Sequence, residues 1–146
     1  MVPTAENHDG LLILAWANLG SLVEGAMKFF LSVFLYDYRN SVRRKKADSI
    51  FKSLWDEKAQ QPIDVDGLMF EKLRVFFAQE VWSQSDGDQW NKWLLHLQSR
   101  RNTIHAYKTR ELGTFDEFFD DVRLYRRFLL EEMTNVPDPP DQSDWR

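Results

Sequence analysis

The residues best equipped for chemistry fall in one stretch, SRRNTIHAY, from Ser99 to Tyr107. It joins two arginines, an amide and an imidazole within a few positions. On a helix each residue advances about 100°, so Arg101 and His105 share a face about 40° apart. Asn102 lies about 60° from His105, and Arg100 flanks that face at about 140°. The combination suits a phosphodiester. Arginine offers a planar fork to phosphate oxygens. Histidine titrates near neutrality and moves protons. Asn102 can hold the imidazole tautomer or a substrate oxygen. Such a set could support RNA cleavage by the substrate's own 2′-hydroxyl, which needs no metal. A plainer reading stands beside it: arginines and a histidine near a helix end also satisfy the last carbonyls and the helix dipole.

No other constellation competes. His8, His96 and His105 lack ligand spacing, and the chain has no cysteine, so neither a metal site nor a cofactor is expected. His96 reads as a surface or core histidine. Glu24 stands in an apolar stretch with Lys28 four residues on, either as a pair on a solvated stripe or as a carboxylate aimed at the arginines. An unpaired carboxylate there would be costly, so Glu24 is expected within salt-bridge reach of Arg100 or Arg101. The run Arg43–Lys46 is a solvated basic turn or a guide for RNA.

Positioning these residues falls to helices. Residues 1–8 read as a disordered N-terminus. A helix is expected from Asp9 to about Asn40, with Leu12, Trp16, Leu19, Val23, Ala26, Phe30 and Val33 recurring at steps of three and four. A second row, Leu22, Phe29, Phe34 and Leu35, makes it apolar over most of its circumference, as in a helix central to a bundle or shared with a partner. A short amphipathic helix with Ile50, Phe51, Leu54 and Trp55 follows. Pro62 and Gly67 punctuate a loop. The next helix runs from Leu68 to Trp82, with Leu68, Leu73, Phe76, Phe77 and Val81 inward. Ser85, Asp86 and Asp88 are candidate N-caps for a helix reaching Tyr107, with Trp90, Trp93, Leu94, Leu97 and Ile104 inward.

Gly113 suits a stop. Thr114 with Glu117 suits a capping box for a last helix to about Asn135, carrying Phe115, Phe118, Phe119, Val122, Tyr125, Leu129 and Leu130. Residues 135–146 are rich in Pro and Asp and read as a disordered tail. The expected fold is all-α, a four- to five-helix bundle over residues 9–134.

Composition bounds the function. The 146 residues suit one domain. A net charge of −4 supplies no global basic field, so any RNA contact is local. Eleven Phe, six Trp and four Tyr are a heavy aromatic load, more than a small monomer readily hides, which points to a homodimer. The most apolar stretch, Leu11–Tyr38, is interrupted by Asn18, Glu24 and Lys28. It therefore reads as a buried helix of a soluble, cytoplasmic protein without a membrane partner.

The motif RRNTIHAY, placed after helices and before a final amphipathic helix, resembles the HEPN superfamily, whose signature is Arg, four to six residues, then His. The opening ANLGSLVEGAMKFFLSVF is similar to that family's first helix. The resemblance covers roughly residues 9–134. It implies a homodimer with a composite cleft and a metal-independent endoribonuclease, often a toxin or defence effector with a cognate antitoxin. Arg100 and His105 would be the catalytic pair, assisted by Asn102. Arg101, Tyr107 and Glu24 would contact the RNA substrate, although the spacing of Tyr107 also suits the core. The family commonly has Asn, Asp or His after the motif arginine, and here that slot holds Arg101, so which arginine acts stays open. The alternative is a non-catalytic module of the same fold that binds a nucleotide or a partner protein.

Overall fold

The computed structural model describes residues 5–40, 55–56, 58–62, 64–82, 84–103 and 111–134. The molecule is all-α and mostly helical. Helix α1 spans Ala5–Asn40, α2 Phe70–Phe76, α3 Gln84–Asn102 and α4 Phe115–Glu131. Helix α2 continues into a π-helical turn, Phe77–Val81, so the expected uninterrupted helix from Leu68 to Trp82 changes its winding midway. Asn7–Phe34 of α1 is long and apolar enough, by length and composition, to cross a membrane.

Helix α1 is the spine, with α2, α3 and α4 all packed on it. Its buried row is Leu12, Trp16, Leu19, Val23, Met27, Phe30 and Leu31. Val33, expected inside, is exposed, and Ala26 is only half-buried. The cause lies in the helix's second half, where Phe30 stacks on Phe77 with ring centroids 5.4 Å apart and that side turns inward. From α2 and its π turn come Leu73, Phe76, Phe77 and Val81, and from α3 come Trp90, Trp93, Leu94 and Leu97, all buried as expected. The core is markedly aromatic: Trp90, Trp93 and Phe128 meet edge-on or tilted with centroids 5.4–5.6 Å apart.

Several boundaries differ from expectation. Helix α1 begins four residues early. Helix α3 begins at Gln84, so Ser85, Asp86 and Asp88 lie within its first turns, where acidic residues favour the positive helix end. It is described to Asn102, and Thr103 follows in a 3-10 turn whose hydroxyl donates to the Arg100 carbonyl at 2.7 Å. Trp55, expected in a helix, sits in a two-residue antiparallel ladder, Trp55–Asp56 (β1) against Gln61–Pro62 (β2). The Asp56 carboxylate accepts from the Lys58 and Ala59 amides and closes that turn. The rest of the proposed helix, like Arg43–Lys46, lies outside the described residues.

Helix α4 carries the expected capping box between Thr114 and Glu117. Its inward face matches expectation in part, with Phe115, Phe118 and Tyr125 packed against the core. Phe119, Val122 and Leu130 are exposed, while Asp121 and Phe128 are buried. The helix docks through Phe118 on Trp16, at 5.2 Å between centroids, and through Phe128 on the tryptophans of α3.

Candidate functional site

The arginine pair sits in the last turn of α3, where it crosses α1. The crossing is close because Gly20 has no side chain: a Cβ there would lie 2.9 Å from Arg101 Cδ and 3.2 Å from its Cβ. The aliphatic stem of Arg101 therefore lies on the α1 backbone. Its guanidinium donates to Glu24 Oε2, one turn further along α1. Glu24 Oε1 also pairs with Lys28 Nζ at 2.9 Å, and Lys28 donates to the Asp66 carbonyl at 2.8 Å. A polar seam thus runs across an otherwise apolar helix, from the loop before α2 to the end of α3.

Glu24 meets both sequence readings at once, the pair with Lys28 and the pair with an arginine. Burial works against its ionisation, but hydrogen bonds from Lys28 and Arg101 and their positive charges together outweigh it. The carboxyl is held below its ordinary value and is ionised near neutrality.

Arg100 points elsewhere. Its guanidinium lies over the Trp16 indole, 5.6 Å from the ring centroid. It donates to the Glu111 carbonyl and approaches Glu117 Oε2 at 3.7 Å. Trp16 Nε1 donates to the next carbonyl, Leu112, at 2.8 Å. Gly113 follows with φ +67°, and a Cβ on it would collide with Glu117 Oε2 and lie 2.9 Å from Arg100 Nη2. Arg100, Trp16 and Gly113 thus hold together the segment that enters α4. The side chain of Arg100 is 14% exposed and that of Arg101 34%. Both arginines are partnered, Arg101 with Glu24 as expected and Arg100 with Trp16, Glu111 and Glu117.

Asn102 is exposed. His105, Tyr107 and Ile104 lie outside the described residues. The geometry brings Glu24 and Arg101 together and separates Arg100 from both, on the far side of the α3 terminus.

One polar cluster escaped sequence reasoning. Asp121, buried on α4, accepts from Trp93 Nε1 at 3.0 Å and lies 2.8 Å from His96 Nε2. An ionised carboxylate only accepts, so Nε2 is the donor in this contact. His96 also sets its ring edge-on to Trp16, at 5.8 Å. Thus His96 and Arg100, one helical turn apart, share that indole. The available signal was Asp121 itself, an acid among the apolar positions of α4. Among the described residues, no three His, Cys, Asp or Glu converge as a metal site would require.

No family model, curated protein or solved structure matches this chain. Function therefore rests on the residues themselves.

Proposed function

We infer that the chain is a metal-independent endoribonuclease of HEPN type, acting as a homodimer and serving as a toxin or defence effector. The observation that carries this reading is the Glu24–Arg101 pair. A guanidinium is anchored on one side by a carboxylate, remains one-third exposed, and stands at the end of the helix whose sequence runs on to His105. An arginine held in this way is pre-oriented for a phosphate and loses little rotamer freedom on binding.

The reaction would be attack of the 2′-hydroxyl on the adjacent phosphorus, with loss of the 5′-oxygen. His105 would move the proton, Arg101 would neutralise the phosphate oxygens, and Asn102 would fix the imidazole or a substrate oxygen. The unequal exposure of the arginines makes Arg101 the substrate-facing one and Arg100 the structural one. Glu24 then positions Arg101.

A second reading has its own observation. Arg100 is committed to Trp16, Glu111 and Glu117, which leaves Arg101 as the arginine of the pair open to a ligand. A module that binds a nucleotide or a partner protein through Arg101 without cleaving is the alternative.

Incubating the purified protein with total RNA in EDTA separates the two. The nuclease reading expects cleavage with 2′,3′-cyclic phosphate ends and a loss of about 10²–10⁴-fold in His105→Ala. Equal cleavage by wild type and His105→Ala rejects it. Nucleotide binding without cleavage by the wild type establishes the second reading.

A further inference from the structure

Asp121 is an acid at an inward position of α4, and burying a carboxylate is costly unless donors meet it. Both of its oxygens are taken. Oδ1 accepts from Trp93 Nε1 at 3.0 Å, and Oδ2 faces His96 Nε2 at 2.8 Å. The imidazole is held from a second side by the Trp16 indole, edge-on at 5.8 Å. A ring fixed between α1 and α4 has lost most of its rotamer freedom before any reactant arrives. Only 8% of the Asp121 side chain is exposed, against 40% of that of His96. The pair is thus a buried acid behind a half-open base.

When the imidazole is neutral, Nε2 carries its proton towards Asp121 and Nδ1 keeps the lone pair. Among the described residues nothing hydrogen-bonds to Nδ1. A carboxylate behind the far nitrogen fixes the tautomer and stabilises positive charge on the ring. It favours any step in which Nδ1 gives its lone pair to an electrophile.

The surrounding charge selects an anionic electrophile. Lys92 and Arg100 lie four residues to either side of His96, each about 40° from it around α3. Arg100 is engaged by the Glu111 carbonyl and Glu117, so the exposed Lys92 is the cation that an incoming anion meets. On a chain of net charge −4, an anionic reactant depends on local cations of this kind. The acids nearest Asp121 along α4 are matched, Glu117 by Arg100 and Asp120 by Arg123.

We propose that His96 is a phosphoryl-acceptor site, phosphorylated at Nδ1 by an acyl phosphate. The Nδ1 lone pair attacks phosphorus and an N–P bond forms. The P–O bond to the acyl group breaks, and its electron pair leaves with the carboxylate. Nothing is oxidised or reduced. The ring becomes a cation that keeps its Nε2 proton, facing the Asp121 carboxylate. Lys92 neutralises the phosphoryl oxygens. A dianion at His96 would then compete with Glu117 for Arg100, the residue that holds the segment entering α4. His96 lies five residues before Arg101 and about 140° around α3 from it. The site is therefore separate from the Glu24–Arg101 pair, and the proposal is independent of the nuclease reading.

The test incubates the purified chain with acetyl phosphate and maps phosphate by tandem mass spectrometry at alkaline pH, because an N–P bond is labile in acid. His8, exposed and edge-on to Phe115 instead of paired with a carboxylate, is the standard within the same molecule. Phosphate should accumulate on His96 faster than on His8. Asp121→Asn, checked for folding by circular dichroism, should slow His96 labelling about 10- to 100-fold, the range a hydrogen bond to a charged group carries, and leave His8 unchanged. Lys92→Gln should slow it about 2- to 5-fold, as loss of one exposed charge contact does. Three results overturn the proposal: no phosphate on His96, labelling of His96 no faster than that of His8, or a wild-type rate at His96 in folded Asp121→Asn, which would make the pair a structural joint only. Should Asp121→Asn unfold, Lys92→Gln decides, and a wild-type rate in that variant rejects the site.

Discussion

Arg100 and Arg101 are neighbours in sequence with different tasks. Arg100 sits over an indole and ties two loop carbonyls' neighbourhood to α3, while Arg101 spans a helix crossing and keeps an open side. Truncating Arg100 removes the cover from Trp16 and leaves the exposed Glu111 carbonyl to water. We expect Arg100→Ala to cost about 1–2 kcal/mol, from the lost cation–π contact with the buried Trp16 and the lost packing of a largely buried side chain. At this size that lowers Tm by about 2–8 °C. Arg101→Ala leaves Glu24 its Lys28 partner, so its melting temperature should fall less, whereas RNA cleavage in the EDTA assay should fall more. Thermal melts and cleavage rates on the same two variants check this. An Arg101→Ala protein that melts far below Arg100→Ala while cleaving normally would invert the assignment.

Helices meet here through small residues and paired polar groups as well as apolar faces. The α1–α3 crossing depends on the missing side chain of Gly20. The α3–α4 joint is made by Asp121, which takes Trp93 and His96 from two successive turns. An alanine at Gly20 improves helix propensity by about 0.8–1.0 kcal/mol. Its methyl group, however, meets Arg101 near the root of the side chain, where the arginine cannot swing away. Overpacking of this kind costs about 1–3 kcal/mol and should win. Gly10 provides the control, since a Cβ there meets nothing within 4 Å. Gly20→Ala should therefore lower the melting temperature and Gly10→Ala should raise it, both measured by circular dichroism.

The whole molecule carries a net charge of −4, so its cationic chemistry is local and its pH response depends on a few partnered acids. Glu24 is the best placed. Its folded value is lowered from the ordinary 4.5 by Lys28 and Arg101 against the opposing effect of burial. A lowered carboxylate stabilises the fold above its unfolded value, and the contribution is lost as pH falls through and below that value. The melting temperatures of wild type and Glu24→Gln should therefore differ most at neutral pH and converge as pH falls from about 5 towards 3. A gap that stays constant across this range would show that Glu24 acts by packing and not by charge.

Much of this was readable from residue order. The helical period of α1, the inward rows of α2 and α3, the capping box at Thr114 and Glu117 and the pairing of Glu24 with an arginine all follow from local spacing or from the cost of an isolated buried charge. Local patterns could not choose between the two apolar rows of α1, because both have the same period. Packing by α2 and α3 on one side made that choice and left Leu22 and Phe29 outside. Nor could they find the Trp16 bond to Leu112, 96 residues away, or the meeting of His96 with Asp121, 25 residues away. For the same reason the division of labour between Arg100 and Arg101 was open in the sequence. It depends on which distant backbone or carboxylate each guanidinium meets, and only the packing of α1 and α4 around the end of α3 decides that.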